Sequence, residues 1–218
     1  MNDKPMPTPF RLPRFYPILD TGMLGARECP VPMAGEALID AGVRILQYRH
    51  KEDWTQAHFD EAKQLAALCH EAGVLFVLND RADFAHLLRS ALHVGQNDLS
   101  PVAARRVIGD EVMGFSTHNR EQLARANEEP VEYFSIGPIF PTTSKLKPDP
   151  VVGLERLREL RLLTEKPLAA IGGITLENAP QVLDTKVDSV AVISGIVPRT
   201  CTRKMWKSYT EEWLRVCA

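Results

Sequence analysis

Three long polar side chains alternate along one short segment of the chain. Gln47, Arg49 and Lys51 occupy every second position of QYRHK, so in an extended segment they point to the same side. Arg offers a fork for bidentate phosphate contact, and Lys offers a compact positive charge. The segment is predicted to bind an anionic group, although a solvated strand end would contain the same residue types.

Two carboxylates follow the next two apolar runs. Asp80 comes two residues after Leu78, where one run ends, and Asp98 follows the run that ends at Val94. Mg²⁺ prefers oxygen ligands and usually binds through one or two carboxylates together with substrate phosphates. A shared magnesium site is one interpretation. The other is that Asp80 caps the next helix and Asp98 lies in a turn.

Small hydroxyl side chains follow two later runs. Ser116, Thr117 and His118 follow the fifth run, which ends at Phe115. These residues could contact a phosphate or a heterocycle, or cap the following helix. The stretch 137–152 is long, polar and rich in proline, and 142–145 reads TTSK. This composition is typical of a lid with a phosphate clamp, and equally of a flexible surface loop.

Glycines follow the last two runs. The seventh run leads into Gly172-Gly173, and the eighth leads into Ser194-Gly195. Backbone N–H groups at such positions hold phosphates in many α/β barrels, where the loops after strands seven and eight form a recurrent anion site. A second anion site is therefore predicted here, built mainly from backbone.

Short apolar runs and helical patterns alternate along the chain. The predicted strands are Phe15–Leu19, Arg44–Tyr48, Leu75–Leu78, Ala91–Val94, Val112–Phe115, Tyr133–Ile136, Leu168–Ile171 and Ser189–Ile193. The predicted helices are Met33–Ala41, His58–Ala72, Ala82–Arg89, Pro101–Ile108, Arg120–Asn127, Leu154–Leu163, Leu176–Leu183 and Lys204–Val216. The alternation predicts an α/β fold, a single (β/α)₈ TIM barrel over residues 14–218, with an open doubly wound sheet as the alternative. In a barrel, all the polar strand ends above would meet at one mouth.

Composition excludes several classes of partner. Lys and Arg total 26 against 28 Asp and Glu, a net charge of −2, so no global basic field favours nucleic acid or an anionic membrane. No apolar run approaches the ~20 residues of a membrane span. Residues 1–13 hold four prolines and are expected to form a loose leader.

The cysteines lack a CxxC pair, which favours reduced thiols in a cytoplasmic protein. They are Cys29, Cys69, Cys201 and Cys217.

Seven segments, in order, resemble the thiamine phosphate synthase family over residues 14–197. They are QYRHK (47–51), NDRADFA (79–85), HVGQND (93–98), GFSTHN (114–119), GPIFPTTSK (137–145), AIGGI (170–174) and AVISGI (191–196). The resemblance implies a TIM-barrel transferase that joins hydroxymethylpyrimidine diphosphate to thiazole phosphate, or to its carboxylate. It implies a dissociative substitution in which diphosphate leaves before the thiazole nitrogen attacks, with one Mg²⁺ per site.

The resemblance also implies roles for individual residues. The implied pyrimidine diphosphate site comprises Gln47, Tyr48, Arg49, His50, Lys51, Asn79, Ser116 and Lys145. Of these, the implied catalytic residues are Arg49, Lys51, Ser116 and Lys145. The implied thiazole phosphate site comprises Thr142, Thr143, Ser144, Gly173, Ile193 and Ser194. The implied magnesium ligands are Asp80 and Asp98.

The chain departs from the family pattern at two places. Ser144 stands where the family usually has Thr, which keeps the hydroxyl. The approach to His93 is a residue or so shorter than usual, which bears on the position of Asp98. The alternatives are a thiazole tautomerase of the sister group and a non-catalytic sensor of thiamine precursors. The helix after Pro198 is expected to close the barrel wall, with a homodimer contact as the alternative.

Overall fold

Eight parallel strands close into a barrel in the order in which they occur along the chain. The computed structural model describes residues 10–142 and 149–218. The strands are β1 Phe15–Asp20, β2 Ile45–Arg49, β3 Leu75–Asn79, β4 Ala91–Val94, β5 Met113–Thr117, β6 Tyr133–Ile136, β7 Leu168–Ile171 and β8 Ser189–Val192. The predicted (β/α)₈ barrel is confirmed, because β1 pairs with β8 as well as with β2.

Helices surround the barrel. They are α1 Thr21–Gly25, α2 Val31–Ala41, α3 Gln56–Glu71, α4 Ala82–Leu88, α5 Pro101–Ile108, α6 Arg120–Ala126, α7 Gly153–Arg161, α8 Ala179–Leu183 and α9 Arg203–Val216. The predicted stop of α2 at Gly42 is confirmed, since Gly42 caps the helix with φ +98°. The short helix α1 was not predicted. None of the helices formed by the described residues is long and apolar enough to cross a membrane.

The chain reaches β4 through a tight turn. The strand begins at Ala91, as predicted, and Ala91 pairs with Val77 of β3. The chain turns at Arg89, which ends α4 in the left-handed region with φ +48°. Residues 89–90 therefore connect α4 directly to β4.

The core has two layers. One lies inside the barrel and includes Tyr16 and Tyr133; the other fills the space between the strands and the helices. Trp206 and Trp213 of α9 are fully buried in this outer layer, and Trp213 stacks on Phe15 with ring centroids 5.3 Å apart. Helix α9 thus covers the barrel wall, as predicted.

A disulfide joins Cys29 to Cys201, whose Cα atoms are 5.6 Å apart. The expectation of reduced thiols is therefore wrong for this pair, while Cys69 and Cys217 are free and buried. The two bridged positions are 172 residues apart in sequence, so their proximity depends on the closure of the barrel.

Candidate functional site

A cavity of about 720 Å³ opens at the carboxyl ends of the barrel strands. Most of the residues singled out from the sequence line it. They are Gln47, Arg49, Lys51, Asn79, Asp80, Asp98, Ser116, Thr142, Gly173, Ile193 and Ser194. Thr143, Ser144 and Lys145 lie outside the described residues. The cavity has the size of a typical small-molecule site.

Tyr48 and His50 do not line this cavity, and their contact with a substrate stays a prediction. Successive residues of a strand face opposite sides. Tyr48 and His50 alternate with Gln47, Arg49 and Lys51, whose side chains face the cavity, so their own side chains face outward. The Tyr48 hydroxyl donates to Glu61 of α3 at 2.9 Å. His50 Nδ1 lies 2.6 Å from the hydroxyl of Thr21 in α1. Both side chains therefore hold the surrounding helices against the strand.

Asp20 orients Arg49. The carboxylate ends β1, forms an ion pair with the Arg49 guanidinium, and also accepts a hydrogen bond at 2.9 Å from the backbone N–H of Met23. Both charged side chains are about 15 % exposed or less, so the pair is shielded from solvent. Sequence analysis missed Asp20, although a carboxylate that ends a barrel strand was the available signal.

Asp80 and Asp98 approach each other at the mouth. Asp80 has a left-handed backbone with φ +65° and forms an ion pair with Lys51. Asp98 accepts a hydrogen bond from the Gly95 N–H at 2.7 Å. Burial, and then the hydrogen bond with Asp98, raise the pKa of Asp80 to about 6, although Lys51 opposes the shift. A buried carboxylate whose charge is opposed by a neighbouring carboxylate is suited to a cation.

The two carboxylates fit a Mg²⁺ site that substrate oxygens complete. The described residues contain no group of three or more His, Cys, Asp or Glu that could hold a metal ion. Mg²⁺ commonly binds through one or two carboxylates together with phosphates and waters. The pair is therefore consistent with a cation that arrives with a phosphorylated substrate.

Asn79 has a buried donor without a partner. Its side chain is 6 % exposed, and Nδ2 has no hydrogen-bond partner among the described residues. Burying an unpaired amide donor costs roughly 1–3 kcal/mol. Because Asn79 lines the cavity, an acceptor on a bound ligand would remove this cost.

A continuous chain of hydrogen bonds crosses the floor of the cavity. In order, it joins Gln47, Tyr16, Tyr133, His93, Ser116 and Ser135, with successive polar atoms 2.6, 2.8, 3.1, 2.8 and 3.1 Å apart. Burial raises the pKa of both tyrosines above its usual value, so each keeps its proton. The sequence analysis missed both tyrosines, because in sequence they resemble ordinary apolar strand residues.

The glycine end of the cavity is tightly packed. The segment after β6 pairs with the end of β7, where Phe140 N–H donates to Gly172 O at 3.0 Å. Gly173 has φ +66°, and a Cβ there would lie 2.6 Å from Pro141 O. Glycine is therefore needed both for the backbone conformation and for the close approach of residues 140–141.

Comparison with known proteins decides the family. A family model described as thiamine monophosphate synthase matches residues 15–196. The chain belongs to the thiamine monophosphate synthase family. Membership gives it the activity of a transferase of thiamine biosynthesis.

Curated and solved members of the family are similar over most of their length. The thiamine-phosphate synthase of Koribacter versatilis is 47% identical over 197 residues, 88% of this chain and 92% of the relative. That of Chloroflexus aurantiacus is 37% identical over 84% of this chain and 85% of the relative. The solved thiamine phosphate pyrophosphorylase of Pyrococcus furiosus superposes with a TM-score of 0.81 at 29% identity, covering 94% of this chain and 95% of that one.

Proposed function

We propose that this protein couples hydroxymethylpyrimidine diphosphate to thiazole phosphate, or to its carboxylate, and releases thiamine phosphate and diphosphate. The observation that carries the proposal is a single cavity with two different ends. One end combines cations with paired carboxylates, and the other is lined by glycines and small side chains. This difference suits a diphosphate on one substrate and a monophosphate on the other.

The cationic end would bind the diphosphate leaving group. Arg49 is held in place by Asp20, and Lys51 lies beside Asp80. Positive charge placed where negative charge develops lowers the barrier to departure of the diphosphate. Lys145 belongs to the same proposed group on the basis of the family resemblance, and lies outside the described residues.

Asp80 and Asp98 would hold Mg²⁺ on this leaving group. The bound ion would neutralise part of the diphosphate charge. The Asp80 carboxyl group hydrogen-bonds to Asp98, and the Gly95 N–H donates to the Asp98 carboxylate. The elevated pKa of Asp80 means that its ionised form is disfavoured by burial and by Asp98, and a bound cation would relieve that penalty.

Polar groups on the floor would bind the pyrimidine ring. Gln47 and Ser116 line the cavity, and Asn79 brings a buried donor that lacks a partner. A heterocycle with ring nitrogens and an amino group offers both acceptors and donors to these side chains. Held in this way, the ring keeps its reacting methylene group at a defined place.

The glycine end would anchor the thiazole phosphate. Thr142, Gly173, Ile193 and Ser194 line it, and Thr143 and Ser144 belong to the same proposed site. Two separate anchors would align the two rings for attack, which replaces a bimolecular encounter with a defined geometry. The reaction requires no protein nucleophile, because the thiazole nitrogen attacks the pyrimidine-methyl cation.

A coupling assay tests the proposal. Purified protein is mixed with both substrates and MgCl₂, with or without EDTA, and thiamine phosphate and diphosphate are measured by chromatography. We expect metal-dependent product in amounts equal to the released diphosphate. Folded protein that forms no product would overturn the proposal. Isomerisation of the thiazole carboxylate phosphate would then favour the tautomerase, and binding without reaction would favour the sensor.

A further inference from the structure

His118 is a polar residue of the barrel mouth that the proposed function does not use. It follows β5 directly, and its side chain is 14 % exposed. Its Nδ1 lies 2.8 Å from the carbonyl oxygen of Gly137, the first residue after β6. A backbone carbonyl oxygen only accepts hydrogen bonds, so Nδ1 carries the proton and donates it. His118 therefore ties the end of β5 to the segment that follows β6.

The same nitrogen faces a second acceptor further along the chain. Nδ1 of His118 lies 3.5 Å from a carboxylate oxygen of Asp149, which precedes helix α7. The stretch before α7 is itself joined to the segment after β6, because the Val152 N–H donates to the Pro138 carbonyl at 2.8 Å. His118 thus contacts both of these segments from the side of β5.

Gly137 and Pro138 pack tightly against the glycines that follow β7. A Cβ added to Gly137 would overlap the carbonyl oxygen of Ile171, and a Cβ added to Gly172 would lie 2.6 Å from Cβ of Pro138. Close-packed segments of this kind transmit a displacement to each other. The backbone of Gly173, which is proposed to hold the thiazole phosphate, comes next in the chain.

We propose that His118 is a positioning residue for the thiazole phosphate. Its Nδ1–H holds the carbonyl of Gly137, Gly137 and Pro138 pack on Gly172, and Gly172 sets the position of the Gly173 backbone. The imidazole acts through these groups and transfers no proton in the reaction. This inference rests on the proposed function, since it concerns the anchor of the second substrate.

Two variants of the same shape isolate the hydrogen bond. Leucine and asparagine side chains branch at the same atom, but only the asparagine amide can donate to Gly137 from near the Nδ1 position. His118→Leu therefore removes the donor, whereas His118→Asn keeps it. Both side chains are smaller than imidazole, so a role in packing alone would be disturbed equally by the two substitutions.

Thr117→Val is the matched control at the neighbouring position. The Thr117 hydroxyl is buried and donates to the Ser135 carbonyl at 2.9 Å. Thr117 and His118 each bond a backbone carbonyl of β6 or of its continuation, but the cavity is not lined by Thr117. Thr117→Val should lower the urea midpoint of unfolding, because a buried hydrogen bond is lost, and should leave ligand affinity unchanged.

Calorimetry with one ligand at a time measures the two ends of the cavity separately. The probes are thiazole phosphate alone and inorganic diphosphate with MgCl₂. We expect His118→Leu to weaken binding of thiazole phosphate about fivefold to tenfold, the effect of one hydrogen bond, and to change diphosphate binding less than about twofold. His118→Asn should bind both probes within about twofold of the wild type. KM for the thiazole phosphate in the coupling assay should change in the same proportion as its dissociation constant.

His118→Phe is the second test if His118→Leu does not fold, because it fills the place of the ring and also lacks the donor. The same loss of thiazole phosphate affinity is expected. The inference would be overturned if the folded variant without the donor bound thiazole phosphate as tightly as the wild type. Equal losses for the two probes, or equal losses in His118→Leu and His118→Asn, would also overturn it.

The coupling assay separates the two proposals. If the wild type makes thiamine phosphate while all variants bind thiazole phosphate equally, this inference fails and the proposed function stands. If the wild type does not couple the substrates but its binding of thiazole phosphate depends on His118 as expected, the proposed function fails and the positioning role stands. A wild type that neither couples the substrates nor binds thiazole phosphate would overturn both.

Discussion

Replacing Asp80 with asparagine should stabilise the fold at neutral pH while it impairs the reaction. Burial and the neighbouring Asp98 raise the pKa of Asp80 from 3.8 to about 6. A carboxyl group with a raised folded-state pKa binds its proton more tightly when folded, so stability falls as the pH rises between the two values. Asparagine keeps the shape, carries no charge, and tolerates the left-handed backbone at φ +65°.

The size of the effect follows from the same two values. Each pH unit between 3.8 and about 6 corresponds to 1.36 kcal/mol, so the ionised Asp80 costs the fold at most about 3 kcal/mol. The gain from Asp80→Asn should be complete above about pH 7 and absent below about pH 4. We also expect kcat/KM to fall by at least about tenfold, because one of two proposed magnesium ligands is lost.

Urea unfolding at pH 8 and pH 4, in EDTA, measures the stability change, and the coupling assay measures the activity. Asp83→Asn is the matched control three residues away. Its hydrogen bond with Arg81 lowers the pKa of Asp83, so removing that charge should destabilise the protein slightly or leave it unchanged. MgCl₂ should stabilise the wild type more than Asp80→Asn. Equal unfolding midpoints for wild type and Asp80→Asn at pH 8 would refute the argument, as would an equal gain at both pH values.

Three further predictions concern other parts of the structure. Asp20→Asn keeps the cap of α1 but loses the ion pair with Arg49. The value of kcat/KM for the pyrimidine diphosphate should therefore fall about tenfold, while KM for the thiazole phosphate stays unchanged. A rise in KM for the thiazole phosphate would contradict a local role of Asp20. Gly173→Ala should raise KM for the thiazole phosphate about tenfold, since its Cβ displaces the segment after β6. Gly42→Ala, also at positive φ but with no atom of the described residues within 4 Å of the added Cβ, should lose only about 1 kcal/mol of stability, and equal KM changes in the two variants would exclude the packing argument. Cys201→Ser should lower the free energy of unfolding by about 2–4 kcal/mol, and dithiothreitol should then have no further effect on that free energy. If dithiothreitol does not destabilise the wild type, the disulfide contributes nothing to stability.

Much of the site was predictable because alternate residues of a barrel strand face the same side, and the carboxyl ends of all the strands meet at one mouth. Gln47, Arg49 and Lys51 alternate along β2 and its extension, and all three line the cavity. The same alternation brings the side chains of Tyr48 and His50, which the family resemblance assigns to the substrate site, against α3 and α1.

The residues that sequence analysis missed act through distant partners. In the sequence, Asp20 is only a polar residue at the end of a strand. The pairing of β1 with β2 is what brings its carboxylate to Arg49. Tyr16 and Tyr133 lie 117 positions apart, and their hydrogen bond exists because β1 and β6 face each other across the barrel interior. The Cys29–Cys201 disulfide depends in the same way on how the two ends of the barrel meet.

The sequence by itself determined the order of the strands and of the helices other than α1, the inward faces of the strands and the chemical types at their carboxyl ends. These follow from local periodicity and residue chemistry. The tertiary structure alone decided which of those groups touch. Pairing of β1 with β8 closes the barrel and fixes the register between these two strands. In the closed barrel, burial raises the pKa of Asp80, and the Tyr133 hydroxyl comes within hydrogen-bond distance of His93. Desolvation and hydrogen-bond direction depend on neighbours in space, which local sequence patterns do not contain.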